Sequence, residues 1–299
     1  MELHPVGDAP DLDGACIVLP AVAFFNVGEL AVDALASTLR AALAARLADA
    51  NLLAVVGNDA YDHIEGRGVL ATALELYSVG APGSKLFLLQ QRAPAIPGRQ
   101  AAFCSDLARW LAASGAGQVL ILAGLDAQFR RESQLEGPQA RFLPASDYAA
   151  AAAAASAPRP ADGADRPQDG EAEAARRRLE GLALSEAEAA AAAAAADLGV
   201  PKLEADALSR ELELHSLLPP WPLLGALAAA RVPALLLGTF ASEGDNVADA
   251  LALASAALRL LVARGAVAQE AAGAAAGAVP LRTPASWAGL YGRPYNEVA

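Results

Sequence analysis

The chain has 299 residues and a formal net charge of -12, with a pI near 4.7, so it is long enough to bury a substantial core in one large domain or two small ones. That charge repels phosphate backbones and anionic lipid at long range, which argues against nucleic-acid and membrane-surface roles. The hydrophobic fraction of 55% is carried largely by alanine, a helix former rather than a membrane-seeking residue, and the longest strongly apolar run, Ile17 to Phe25, is interrupted by Pro20.

Met1 to Asp13 contains Glu2, Asp8, Asp11 and Asp13 but no Lys or Arg, unlike the basic start of a secretory signal, so the chain is expected in the cytoplasm and nucleus. Cys16 and Cys104 match no metal or redox spacing and read as small buried thiols kept reduced.

Ala15 to Val22 reads as a buried strand. The run Asn26-Val27-Gly28-Glu29 then predicts a helix start, with Asn26 as cap and Glu29 reaching back to its amide. Leu35, Leu39 and Leu43 recur every four residues and carry the predicted helix past Leu43. Leu52 to Val56 reads as a short buried strand. Leu74 to Val79 and Lys85 to Gln91 read as an antiparallel hairpin around Ala81-Pro82-Gly83-Ser84. Phe103, Leu107, Trp110 and Leu111 have helical spacing, Ser114-Gly115 ends that helix, and Val119 to Leu122 is the next buried strand.

Between Ala149 and Gly199 the character changes to two polyalanine runs enclosing prolines, glycines and Arg176-Arg177-Arg178. Without larger apolar residues this stretch is expected to be disordered, and the triple Arg to be a solvated charge run. Beyond it, Trp221 to Ala230 predicts a helix, Pro233 to Phe240 a strand, and Asn246 to Arg264 a long helix whose start, Asn246-Val247-Ala248-Asp249, echoes Asn26. The predicted fold is α/β, a single mixed β-sheet flanked by helices. Residues 1–148 and 200–299 form two parts of one domain, and 149–199 is a low-complexity insertion.

Catalytic motifs are weak. Gly66-Arg67-Gly68-Val69-Leu70-Ala71 fits a loose dinucleotide pattern but follows a polar loop rather than a strand, and there is no phosphate loop or nucleophile elbow. Asp59, Asp62, His63 and Glu65 resemble metal ligands in type but match no known spacing and read as loop solvation. The three histidines advertise no acid-base or nucleophile-base pair, so no catalytic residue, cofactor or metal ligand is assigned. The strongest candidate loop is Ser242-Glu243-Gly244-Asp245-Asn246, at a strand-to-helix junction. Its carboxylates repel phosphate but suit a helix N-terminus, a cation or a basic partner.

Several segments together resemble the proteasome assembly chaperone family. They are Ala9-Pro10-Asp11-Leu12 with Leu19-Pro20-Ala21-Val22; Asn26 to Asp33; Val56-Gly57-Asn58 with Tyr61; Ser242 to Asn246; and Pro284-Ala285-Ser286-Trp287. They cover roughly Ala9 to Leu143 and Leu217 to Gly292. The resemblance implies a non-catalytic α/β protein that pairs with proteasome assembly chaperone 1 and helps proteasome α subunits form a ring. The acidic charge argues against a membrane or nucleic-acid partner, and no cofactor is expected. Related chaperones use a C-terminal hydrophobic-tyrosine-any tripeptide to enter pockets between α subunits, whereas this chain ends Asn296-Glu297-Val298-Ala299. Asn26, Gly28, Glu243, Gly244 and Asp245 are the candidate contact or conformational residues, and Trp287 is expected to anchor the C-terminal segment. The rival reading is a metabolic or nucleotide-handling α/β enzyme with its site at the strand-to-helix tips near Asn26 and Glu243.

Overall fold

In the computed structural model, residues 1–22, 24–58, 60–61, 70–81, 83–155, 185–269 and 281–287 are described. Predominantly apolar strands run through the middle of one eight-stranded sheet, because both of their faces are covered. In chain order the elements are β1 (Glu2–Pro5), β2 (Cys16–Pro20), α1 (Val27–Leu39), β3 (Ala42–Ala48), β4 (Val56–Gly57), β5 (Ala71–Thr72), β6 (Leu74–Val79) and β7 (Leu86–Gln91). There follow α2 (Gln100–Ala113), β8 (Gln118–Asp126), β9 (Ala140–Pro144), α3 (Ala145–Ala155), α4 (Glu186–Asp197), α5 (Ala205–His215), α6 (Trp221–Ala229), β10 (Ala234–Ala241) and α7 (Val247–Ala263).

The sheet order is β1-β3-β6-β7-β2-β8-β10-β9. Neighbours from β7 through β2 and β8 to β10 are parallel, and the flanking pairs are antiparallel. The sheet is therefore mixed, as its sequence pattern predicts. Along β8, Val119, Ile121, Ala123 and Leu125 enter one core with α2, α3, α5 and α6. Leu120 and Leu122 face the other core, built with α1, α4 and α7. The result is three layers, helix on sheet on helix.

The β6–β7 hairpin forms as predicted, registering Leu74 with Gln91 and Val79 with Leu86. The first helix is shorter than predicted. It ends at Leu39, where Arg40 adopts a left-handed conformation (φ 51°) and Ala41 donates to Ala36 O at 3.0 Å. Leu43 instead lies on β3, which pairs with both β1 and β6. Two ladders outweigh the helix preference of an alanine-rich run. The predicted Leu52–Val56 strand also fails. Leu52 makes one isolated bridge to Ala95, while Leu53, Val55 and Val56 are exposed, and only Val56–Gly57 pairs, with Ala71–Thr72.

Both ends of the segment expected as an insertion are packed helices. In α4, Ala191 and Ala195 are each 1% exposed, so even methyl groups contribute when a sheet lies beneath them. A reciprocal cap starts this helix: Glu188 N donates to Ser185 Oγ (3.2 Å) and Ser185 N to Glu188 Oε2 (3.4 Å). Glu188 Oε1 also accepts from Ala234 N at 3.1 Å, tying α4 to the first residue of β10. Residues 156–184, with the triple Arg, lie outside the described residues.

Candidate functional site

β2 and β10 run parallel to β8 on either side of it, so their C-terminal ends open on the same edge of the sheet. Open α/β sheets present their functional loops at that edge. α1 follows β2 and α7 follows β10; the two helices lie on one face and pack against each other, bringing their N-termini together.

At the β2–α1 tip, Ala21 donates to Leu122 O at 2.8 Å, and the chain then turns through two left-handed residues, Phe25 (φ 70°) and Asn26 (φ 57°). Asn tolerates this region, whereas Phe adopts it only where the surrounding structure imposes it. Asn26 is exposed and makes no side-chain cap bond, so the predicted capping role is not realised. Gly28 is buried, and a Cβ built there lies 2.3 Å from Leu122 O. Its hydrogen lets α1 cross directly over the β8 backbone. Glu29 does not close a capping box either. Its Oε2 is out of contact with solvent and accepts no hydrogen bond. Burial, with a smaller push from Asp33, raises its carboxyl to about 8.

The β10–α7 tip is built differently. Ser242, Glu243, Gly244 and Asp245 are exposed, and Gly244 holds φ 145°, a region that L side chains rarely adopt. Asp245 Oδ1 accepts from Val247 N at 3.1 Å, so the carboxylate, rather than Asn246, satisfies the first turn of the helix. Asn246 is only 5% exposed and donates from Nδ2 to Gly244 O (3.1 Å) and to Phe25 O (3.4 Å). Two junctions more than two hundred residues apart are thereby tied through one amide.

Beside this loop lies a shallow, polar depression of about 250 Å³ lined by Glu243, Asp245, Asp249 and, across from them, Arg130. Arg130 is held in place by Gln139 Oε1 at 2.9 Å. Asn26 does not line this depression, so the structure does not bring the two tips to one enclosed pocket among the described residues. No group of three or more His, Cys, Asp or Glu side chains converges for a metal among those residues. Asp59, Asp62, His63, Glu65, Gly66 and Gly68 lie outside them.

Sequence reading missed a buried polar cluster one helical turn beyond Glu29. Asp33, 7% exposed, receives hydrogen bonds at Oδ1 from the Tyr61 hydroxyl, from Gln90 Nε2 (2.6 Å) and from Arg92 Nη2 (3.1 Å). Gln90 Nε2 also donates to Glu29 O at 2.9 Å. Glu75, 1% exposed, accepts from the Tyr77 hydroxyl (2.6 Å) and Thr72 N (3.0 Å) and lies 3.5 Å from Arg46 Nε. Burial first, and the adjacent carboxylates Asp33 and Glu75 second, push the Tyr61 and Tyr77 hydroxyls well above their usual range, which keeps them donors. The cluster unites two of the family-like segments, Asn26 to Asp33 and Tyr61. Its sequence signal was the set of polar residues, Glu75, Gln90, Gln91 and Arg92, within or just after otherwise apolar strands. Further along, Arg282 N donates to Thr38 Oγ1 (2.9 Å) and Trp287 packs on the α1–α7 core, the anchoring expected of it.

A model of the PAC2 family matches residues 18–215, a span that contains Asn26 and Gly28 but ends before Glu243. Over 139 residues the chain is 36% identical to Proteasome assembly chaperone 2 of Nematostella vectensis, and over 141 residues it is 36% identical to Proteasome assembly chaperone 2 of Homo sapiens. Each match takes in 46% of this chain and 56% or 53% of the relative, so the chain spans about half the length of the curated relatives it matches. Among solved structures, the monoclinic form of Pyrococcus furiosus PbaA, described as an archaeal homolog of proteasome-assembly chaperone, aligns with a TM-score of 0.52. That alignment covers 89% of this chain and 82% of PbaA at 14% identity, a likeness of fold alone.

Proposed function

The chain belongs to the PAC2 family, and from that premise we propose that it is a proteasome assembly chaperone. In this reading it pairs with proteasome assembly chaperone 1, promotes formation of the core-particle α ring by binding and without catalysis, and works in the cytoplasm and nucleus. The observation that carries the proposal is its identity to curated proteins named for proteasome assembly, maintained over about 140 aligned residues. The tips supply the contact surface in this reading: Glu243 and Asp245 project to solvent from a loop whose base is fixed by Asn246, and an acidic face steers encounter with a basic patch.

The test is to express the chain with and without proteasome assembly chaperone 1 and with α subunits, and to weigh the complexes by native mass spectrometry. A heterodimer that captures α subunits is expected. A chain that forms neither complex, under conditions where α rings assemble, ends the proposal.

A further inference from the structure

The edge of the sheet opposite the two tips carries a second feature. There the starts of β2 and β8 lie beneath α4 and α7, and a hollow of about 200 Å³ remains between them. The hollow exists because the residues that α4 contributes, Ala187 and Ala191, end at Cβ and cannot meet Leu261 of α7 across the gap. Arg264 stands at its wall and donates from Nη2 to Gln118 Oε1 at 3.1 Å, while Gln118 Nε2 is directed to Ala187 O at 3.4 Å. A guanidinium has five donor hydrogens, and among the described residues Arg264 forms no ion pair, in a chain of net charge -12. Cys16 completes the lining. Burial pushes its thiol up to about 11, so it remains neutral and does not compete as an anion for Arg264.

We propose that this hollow is a binding site for a short aliphatic carboxylate of about four to six carbons, its carboxylate on Arg264 and its chain against Ala191, Leu261 and Cys16. The site is spatially separate from the strand-to-helix tips and does not depend on the chaperone reading.

Methyl-resolved NMR of the full chain, titrated with hexanoate, tests the site. Saturable shifts of the Leu260 and Leu261 methyls are expected, with 1-hexanol and acetate binding roughly tenfold more weakly because each lacks one half of the recognition. Arg264→Gln is expected to weaken hexanoate roughly tenfold and leave 1-hexanol unchanged, while Ala191→Leu, which fills the hollow, abolishes both. The proposal is overturned if no saturable shift appears at those leucines, if hexanol matches hexanoate, if acetate matches it, or if Arg264→Gln binds as the wild type does. Should Arg264→Gln not fold, the comparison of hexanoate with hexanol and the Ala191→Leu variant decide the matter.

Discussion

The β2–α1 and β10–α7 tips begin from nearly the same sequence logic, an Asn followed three residues later by an acid, yet they are opposites in three dimensions. At the first, the Asn is exposed and one carboxylate oxygen of Glu29 is buried; at the second, the Asn is buried, and Glu243 and Asp245, which precede it, are exposed. The cause is what lies beneath each helix start. α1 crosses on the β8 backbone at Gly28, so its first turn is pressed into the protein, whereas α7 leaves a loop with open space around Gly244. Motif chemistry therefore identifies a junction, but the packing partner decides which of its side chains remain available for contact.

The contrast can be broken most forcefully at Gly28. Gly28→Ala is expected to cost about 3 kcal/mol in urea unfolding, because the new methyl meets a backbone carbonyl that already receives Ala21 N–H and cannot move cheaply. A loss below about 1 kcal/mol would show that α1 has room to shift.

Glu29→Gln sharpens the same point through pH. The folded-state carboxyl, raised from the ordinary 4.5 to about 8, holds its proton more firmly than the unfolded chain does. The wild type therefore has its full contribution below about pH 4.5 and loses it as pH rises towards and through 8. The variant does not titrate there; the full rise would give about 4 kcal/mol between pH 5 and pH 9, and because water partly screens the half-buried Glu29 the variant is expected to gain about 2 kcal/mol relative to wild type over that range. Parallel unfolding curves across that range are the check, and a constant difference between the two proteins would place the Glu29 carboxyl in water.

Gly244→Ala probes the exposed tip. Nothing lies within 4 Å of the added methyl, so only the φ of 145° is penalised, with an expected cost of about 1 kcal/mol. Glu243→Gln with Asp245→Asn is the mildest change for the isolated chain, within about 0.5 kcal/mol by thermal unfolding. If the loop is a contact surface, the same double variant slows association with proteasome assembly chaperone 1 or α subunits, and the deficit shrinks as salt is added. Unchanged association would return both carboxylates to a purely local role.

Much of the fold was legible where side chains carry a strong period. The β6–β7 hairpin, the buried strands around Val119 and Leu236, and the helices at Phe103, Trp221 and Leu253 follow from leucine spacing and turn residues. Alanine-rich stretches were the weak point. Ala42–Ala48 read as helix because alanine marks no face, and the period-two burial of Ala45 and Leu47 becomes visible only with β1 and β6 on either side. The same ambiguity concealed α4, whose docking depends on Glu188 reaching the backbone of β10. In the candidate site, both junctions were legible in the sequence, and at Gly28 the structure shows α1 approaching the β8 backbone closely. Sequence reading assigned the caps to the wrong side chains, because capping depends on backbone dihedrals that neighbouring elements set.

By itself, then, the amino-acid sequence determined the α/β class, the mixed sheet, the family and the pair of junctions, since these depend on local periodicity and on short recognisable segments. Tertiary structure alone decided that Asn246 joins the two tips through Phe25, that Asp33, Tyr61, Gln90 and Arg92 share one buried cluster, and that Arg264, bonded to Gln118, faces a hollow left by alanines. The physical reason is the same in each case. A buried polar atom is satisfied, and a cavity is left, by whichever residue folding brings within about 3 Å, and sequence separation does not encode that distance.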